Sequence, residues 1–423
     1  MMLYEKVNTT EYLSDFDLKE GIVTALSAFG PIAKMLIVPP DITRLHSQAG
    51  KLTGFAYNYN PSAVSTIMPA LGTHVAMTED ELTRMFGAIP KGLFKIHDWR
   101  NDCIRLGEVK RDFVKEVSQG AVDYGIPVEV NRILFEEKHD CILSIGQIVP
   151  HEVAGMAGHA KNIFVGLGGA SNIHKSHFLG AAFGIEKILG KTDSCVRKVF
   201  DYAMETYLGS LPIVHVLTVI ARDKTGRLRV AGLFIGIGKE CFLNAARLSR
   251  SVNFEHLQKP LNTVVTYLDP VEYKSFWLGN KSIYRTRMAI ADKGRLIVLA
   301  PGLKTFGEDP YIDQLIRKYG YKGTPYVMDC IRKNEDLKAN LSAAAHLIHG
   351  STEGRFSVTY CVSDISKQDV ENAGFDFAPA SDMLLRYNPA ELKPGNNVLA
   401  NGENIYFIPN PATGLWAYGG RIS

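Results

Sequence analysis

The sequence predicts an α/β fold with two domains, built from mixed sheets flanked by helices. The chain has 423 residues, more than a single hydrophobic core normally serves. Short β-branched or aliphatic runs alternate with helix-like segments, which is typical of α/β proteins. A cleft between the two domains is the expected place for an active site.

Each predicted element has a local signal. Runs of aliphatic residues that end in a turn or a polar loop predict strands at 35–40, 142–150, 213–222, 228–237, 262–268 and 295–302. Apolar residues at helical spacing, closed by a glycine, predict helices at 77–87, 196–209 and 312–320.

Two connections organise these elements. The segment RDKTGRL at 222–228 has the length and the glycine of a hairpin loop, so at least one strand pair is antiparallel and the sheet is mixed. Two prolines in 253–272 indicate a domain break. We therefore expect a cofactor and catalytic domain at 1–262 and a second α/β domain at 263–423 that closes the cleft, leaving open a return of the C-terminal tail to the first domain.

Composition narrows the function classes. The net charge is only +3, and Lys and Arg are scattered, which argues against a nucleic-acid surface. No apolar run reaches the ~20 residues of a membrane span, and the N-terminus is too acidic for a signal peptide. The six cysteines form no Cys-x-x-Cys pair, so neither a disulfide framework nor structural zinc is indicated. A cytoplasmic protein with a small-molecule partner is expected.

Asp41-Ile42-Thr43-Arg44 follows the predicted strand 35–40. Ligands of α/β proteins bind beyond the carboxyl ends of strands, so an acid, a hydroxyl and a guanidinium could meet an anion there. The alternative is an Asx turn beside a surface arginine.

His74 lies in a Gly-Thr-His loop just before a predicted helix. Thr78 and Glu81 fit a capping box, which sets the helix start and places His74 on the preceding turn. A lone histidine can be merely structural, but such loops also collect catalytic groups.

The glycine-rich stretch 151–177 is the most informative segment. His151, Lys161 and His177 could present acid–base, covalent-anchor and metal-ligand groups to one bound cofactor, and the glycines would let the backbone approach it. The segment matches neither GxGxxG nor HExxH. A solvated lysine and two surface histidines, His174 and His177, are the alternative.

Lys304 follows a predicted strand and a Pro-Gly turn in the second domain, where it could hold a substrate carboxylate. An exposed turn lysine is the alternative. The polar, glycine-bounded loop 349–355 has no assignable role.

The ordered set of these motifs resembles the nickel-dependent lactate racemase family, strongest from about 35 to 180. The resemblance implies a nickel-pincer nucleotide, a pyridine-derived mononucleotide joined through a thioamide to Lys161. It implies His177 as the protein ligand of nickel, and Asp41 and Thr43 as residues that help hold the cofactor. Cofactor-biosynthetic enzymes would then be partners.

The resemblance also implies the reaction, inversion at C2 of a 2-hydroxy acid by reversible hydride transfer. His74 and His151 would act as acid–base catalysts on the two faces of the substrate. Arg44 would grip the substrate carboxylate, with Lys304 as a second contact. The chemistry suits these residue types, because hydride removal avoids a carbanion beside a carboxylate and two histidines can serve both faces.

Two departures from the family pattern bear on the substrate. Leu45 and His46 follow the arginine where proline is common, and Glu152 follows His151 in place of an aromatic residue. These departures argue against lactate as the substrate, and the numerous polar and basic residues of the second domain favour a longer hydroxy acid, such as an aldonic acid epimerised at C2. A non-catalytic binding protein and a metal-dependent hydrolase that uses the same histidines without the nucleotide are the alternatives.

Overall fold

The computed structural model describes residues 1–419. The chain divides into two compact units, one comprising Met1–Phe183 and Ile188–Asn253 and the other Gly184–Lys187 and the chain from Phe254 onward. The division after Asn253 falls at the start of the interval 253–272 in which the two prolines lie.

The first unit contains ten strands and nine α-helices. The strands are β1 Met2–Val7, β2 Met35–Val38, β3 Val64–Ile67, β4 Cys103–Val109, β5 Ile126–Asn131, β6 Cys141–Gln147, β7 Pro150–His151, β8 Gly155–Met156, β9 Ile213–Arg222 and β10 Leu228–Gly236. The helices are α1 Asp15–Phe29, α2 Ala49–Tyr59, α3 Glu79–Phe86, α4 Arg111–Val117, α5 Ile133–Glu136, α6 Ala160–Phe164, α7 Ala170–Phe183, α8 Cys195–Tyr207 and α9 Lys239–Asn253.

A six-stranded mixed sheet of order β1-β10-β9-β6-β2-β3 organises this unit. Strands β3, β2, β6 and β9 are parallel, whereas β10 is antiparallel to both β9 and β1. The predicted mixed sheet is therefore confirmed, and so is the hairpin between β9 and β10.

The sheet is covered on both faces. Ile37, Leu143 and Val216 belong to one buried cluster, whose other members include residues of α1 and α2. Leu217 packs on the opposite face in a cluster with Phe242 of α9. Burying β-branched and aliphatic side chains on both faces explains why the central strands appear as continuous apolar runs in the sequence.

The second unit is also α/β. Its strands are β11 Phe254–Leu257, β12 Leu261–Tyr267, β13 Ile290–Leu299, β14 Ser357–Val362, β15 Asp376–Pro379, β16 Gly395–Val398, β17 Asn404–Ile408 and β18 Leu415–Tyr418. Its helices are α10 Phe276–Gly279, α11 Lys281–Thr286, α12 Pro310–Tyr319, α13 Thr324–Lys333, α14 Glu335–Ala339, α15 Leu341–His349, α16 Lys367–Asn372 and α17 Ala380–Arg386.

The sheet of this unit has the order β15-β14-β13-β12-β17-β16 and is parallel except for the edge strand β16. The last strand, β18, pairs with β11, which precedes the predicted boundary at 262 but belongs to the second unit. The C-terminal residues 420–423 lie outside the described part of the chain.

The loop 349–355 is held by two arginines of the second unit. Arg287 Nη1 donates to the carbonyl oxygens of His349 and Ser351, each at 3.2 Å, and Arg355 bonds Asp292 through Nε at 3.0 Å. Its polar residues therefore serve local structure.

Two further findings concern membrane-spanning segments and cysteines. Across residues 1–419, no helix combines the length and apolar character needed to cross a bilayer. All six cysteines are free thiols, and only Cys103 is more than slightly exposed.

Candidate functional site

Three of the sequence-predicted side chains follow neighbouring parallel strands. Asp41 comes after β2, His74 after β3 and His151 after β6, and these strands lie side by side in the order β6-β2-β3. Because parallel strands end at the same edge of a sheet, the three residues leave the sheet at one edge.

Asp41 holds the imidazole of His74. It caps a short 3₁₀ helix, Ile42–Ser47, and its Oδ1 accepts hydrogen bonds from the backbone N (3.1 Å) and Oγ1 (2.5 Å) of Thr43. Its Oδ2 lies 2.5 Å from His74 Nδ1. Burial by itself raises the pKa of Asp41, but the charge of His74 and its hydrogen bond lower that pKa to about 2.

A carboxylate oxygen can only accept a hydrogen bond, so the proton between Asp41 and His74 belongs to Nδ1 of the imidazole. When the ring is neutral, the lone pair of His74 is then on Nε2, the nitrogen that a general base uses. Both oxygens of Asp41 serve this local network, and the contacts of Asp41 and Thr43 with a cofactor stay predictions.

The loop that carries His74 is tied to the glycine-rich segment. Gly72 N donates to the carbonyl oxygen of Gly166 at 2.9 Å. Gly72 has a φ of +59°, a left-handed conformation that favours glycine. This contact fixes the loop of His74 against the residues that follow α6.

Lys161 lies on the short helix α6, next to an anchoring residue. The amide Nδ2 of Asn162 donates to the carbonyl oxygen of Val38 (3.2 Å), the hydroxyl of Ser144 (3.0 Å) and the carbonyl oxygen of Ile145 (3.3 Å). Asn162 thereby attaches α6 to the end of β2 and to the neighbouring residues of β6, the two strands that Asp41 and His151 follow.

The amine of Lys161 is electrostatically unusual. Burial, and then the positive charge of Arg44, lower its pKa from the ordinary 10.5 to about 8, although Glu152 and Asp41 act in the opposite direction. The charges of Arg44, Glu152 and Asp41 therefore all act on the amine of Lys161.

We expect Lys161→Met to stabilise the cofactor-free protein at neutral pH. Since the pKa in the folded state is lower than the ordinary value, the charged amine costs folding free energy below pH 8, and this cost disappears as the pH rises through 10.5. The variant should gain about 1–2 kcal/mol in free energy of unfolding at pH 7, discounted because the side chain is partly exposed.

Urea unfolding of wild type and Lys161→Met at pH 7 and pH 10 would measure this difference. The gain should shrink at the higher pH. An equal gain at both values would mean that packing, not charge, stabilises the variant.

His177 has the protonation state and orientation of a metal ligand. Burial, and then the charge of Lys161, lower its pKa to about 4, so the ring is neutral at pH 7. Its Nδ1 donates to the carbonyl oxygen of Ile173 at 2.8 Å, which leaves the lone pair on Nε2. His174, on the same helix, packs edge-on against Trp99 with ring centres 5.8 Å apart.

His151 is buried on the small hairpin formed by β7 and β8. Its Nδ1 accepts hydrogen bonds from the backbone N of Val153 (3.2 Å) and of Ala154 (3.4 Å). Its Nε2 lies 3.9 Å from Oε1 of Glu152. The same carboxylate acts electrostatically on Lys161 and His177.

Arg44 offers a hydrogen-bond donor to a ligand. Its Nη1 is buried and has no hydrogen-bond partner among residues 1–419. An unpaired guanidinium donor is costly to bury, and a carboxylate would satisfy it. Lys304, by contrast, lies exposed in the second unit, and its contact with a substrate stays a prediction.

Glycines of the stretch 151–177 serve close packing within the protein. A Cβ at Gly168 would overlap the carbonyl oxygen of Phe164, and one at Gly155, where φ is +78°, would overlap that of Lys191. The sequence predicted that these glycines let the backbone approach a cofactor. At Gly155 and Gly168 the backbone instead lies close to carbonyl groups of the protein itself.

The sequence did not single out Asn162 or Arg197 as site residues, and Glu152 was noted only because the family pattern has an aromatic residue after the histidine. Arg197 is fully buried; its Nη2 donates to the carbonyl oxygen of Met156 at 2.5 Å, and its guanidinium lies 4.3 Å from the ring centre of Phe242. It thus supports the hairpin that carries His151. An arginine between Val196 and Val199 on the apolar side of a helix was the available signal.

Part of the chain matches a known protein family. Residues 24–182 match the family model of the lactate racemase N-terminal domain, so the resemblance inferred from the motifs is confirmed for this part of the chain. No curated protein sequence matches the chain.

Two solved structures share the fold. One is a protein from Thermotoga maritima, with a TM-score of 0.82 and 24% identity over 97% of this chain and 99% of that one. The other is the lactate racemase apoprotein from Thermoanaerobacterium thermosaccharolyticum, with a TM-score of 0.70 and 17% identity over 96% of this chain and 93% of that one.

Proposed function

We propose that the protein is a 2-hydroxy-acid racemase or epimerase that uses a nickel-pincer nucleotide tethered to Lys161. The observation that carries the proposal is the electrostatic coupling of Lys161 with Arg44 and His177: the charge of Arg44 lowers the pKa of Lys161, and the charge of Lys161 lowers the pKa of His177. The match of residues 24–182 to the lactate racemase N-terminal domain supports it.

The residues present fit the cofactor. Lys161 has a substantial neutral fraction near pH 8, as formation of an amide-type bond to its amine requires, and His177 presents a lone pair on Nε2. Among residues 1–419, no group of three or more His, Cys, Asp or Glu side chains could hold a metal ion. A nickel ion held by His177 would therefore take its other ligands from the nucleotide, which when bound would supply hydride transfer at C2.

The chain's own residues would bind and orient the substrate. Arg44 would pair its buried Nη1 with the substrate carboxylate. His74, fixed by Asp41 with its lone pair on Nε2, would take the hydroxyl proton on one face. Inversion requires proton transfer on the other face too, and His151 is the histidine proposed to contact the substrate hydroxyl there.

Intact mass spectrometry with nickel quantification tests the proposal, on protein co-expressed with the enzymes that make the pincer nucleotide. A mass adduct that maps to Lys161, with nickel near one per chain, would support the family chemistry. Unmodified Lys161 without nickel, while a control racemase is loaded in the same cells, would refute it and favour a binding protein.

His177→Ala is expected to keep the covalent adduct and lose most of the nickel. The alanine removes the one protein nitrogen proposed as a ligand, whereas the tether at Lys161 is untouched. Nickel per chain and adduct mass, measured on the same sample, would show this separation. His174→Ala, on the same helix, should retain both, and full nickel occupancy in His177→Ala would exclude it as the ligand.

A further inference from the structure

The two histidines of the site carry their protons on different nitrogens. His74 has its proton on Nδ1, facing Asp41. His151 is reversed, because its Nδ1 accepts from the backbone N of Val153 and of Ala154. A nitrogen that accepts a hydrogen bond holds no proton, so the proton of the neutral His151 ring is on Nε2.

This difference limits what His151 can do. A general base needs a lone pair directed at the substrate, and Nε2 of neutral His151 already carries a proton. His151 is therefore set up to donate a hydrogen bond through Nε2, whereas His74 is set up to accept a proton there. A separate acceptor is needed on the side of His151.

Glu152 is placed to be that acceptor. Its Oε1 lies 3.9 Å from Nε2 of His151, too far for a direct hydrogen bond. Two atoms that each hydrogen-bond one shared oxygen at about 2.8 Å lie roughly 4–4.5 Å apart. The separation is thus close to that expected when one ligand oxygen lies between the imidazole and the carboxylate.

The carboxylate belongs to the proposed reaction site. It acts electrostatically on both Lys161 and His177, and its side chain is only 17% exposed. A carboxylate here would repel the carboxylate of a substrate, which Arg44 is proposed to hold, but would attract a hydroxyl group.

Building on the proposed function, we infer that Glu152 is the catalytic proton acceptor on the His151 side. The C2 hydroxyl oxygen accepts a hydrogen bond from Nε2–H of His151 and donates its own proton to Oε1 of Glu152. The nucleotide, when bound, would supply the two-electron acceptor that takes the C2 hydrogen with its electron pair, so the O–H electron pair would become the second bond of the keto group. Glu152 would hold the hydroxyl proton and return it when hydride is returned on this face.

The first test needs no cofactor. Long-range ¹H–¹⁵N correlation spectra of histidine-labelled apoprotein, recorded over a pH series that extends until each ring is neutral, report which ring nitrogen carries the proton. His151→Gln and His74→Gln assign the two signals. We expect the Nε2–H form for His151 and the Nδ1–H form for His74. An Nδ1–H form for His151 would overturn the inference, whether or not the proposed nickel function holds.

The second test uses loaded enzyme in a single turnover. The ratio of the steady-state kcat/KM values for the two C2 configurations is fixed by the equilibrium constant, so steady-state rates cannot distinguish the two faces. Formation of the 2-keto acid is therefore measured by rapid acid quench, starting separately from each configuration. Glu152→Gln should slow it about 10²- to 10⁴-fold for one configuration only. His74→Gln should slow it for the other.

Glu152→Asp, which keeps the carboxylate, should restore part of the rate lost in Glu152→Gln. Adduct mass and nickel content should match wild type in both variants, which separates loss of proton transfer from loss of loading. Equal slowing of both configurations, or none, would refute Glu152 as the acceptor on one face.

Discussion

Alanine in place of Lys161 is expected to give a folded protein with no covalent nucleotide and no turnover. The amine is the only group proposed to form the tether, and its pKa of about 8 leaves roughly a quarter of it neutral at pH 7.5. An ordinary lysine would be almost entirely charged at that pH and much less reactive. Intact mass, peptide mapping and nickel quantification would record the loss.

Lys175→Ala is the matched control for this experiment. Lys175 belongs to the same glycine-rich stretch, but its amine donates to the carbonyl oxygen of Gly125 at 2.9 Å. The control should retain adduct, nickel and turnover. Full activity in Lys161→Ala would disprove the covalent role of Lys161.

His74→Gln is expected to lower turnover about 10²- to 10⁴-fold while the adduct and nickel remain. The change removes the imidazole that Asp41 fixes at 2.5 Å and leaves Lys161 and His177 intact. Asp41→Asn should cause a loss of the same order, since an amide can stabilise the wrong tautomer of His74. Rates with each C2 configuration, normalised to nickel content, would measure both effects.

His256→Gln, an exposed histidine on β11, serves as the control and should leave the rate unchanged. Wild-type turnover by fully loaded His74→Gln would remove His74 from the mechanism. Loss of the adduct in that variant would instead indicate that His74 supports cofactor binding.

Local patterns in the sequence correctly predicted those elements whose structure depends on residues close together in the chain. The hairpin of β9 and β10 and the start of α3 follow from a glycine-containing loop and from the capping box of Thr78 and Glu81, both of which the structure contains. In contrast, α2 begins after Gln48, which makes no side-chain cap, and β1, with the mixed sequence MLYEKV, becomes a strand by pairing with β10.

The same distinction applies to the site. His74, His151, Lys161 and His177 stood out because their residue types suggest chemistry. The role of Asn162 depends on Val38 and Ser144, which are distant in sequence, and no local pattern indicates such contacts. The orientation of His151 likewise follows from backbone hydrogen bonds that only the folded hairpin provides.

The hydrogen bonds that anchor α6 determine how often a cofactor attached to this helix would be exposed to solvent. Fraying of this short helix alone would deprive the Asn162 amide of acceptors on two separate strands, so it should seldom occur before the sheet itself opens. The amides around Lys161 should then be among the slowest in the chain to exchange with deuterium. Solvent would therefore reach a nucleotide attached there only through rare opening of the whole unit, and not through the mobility of a loop.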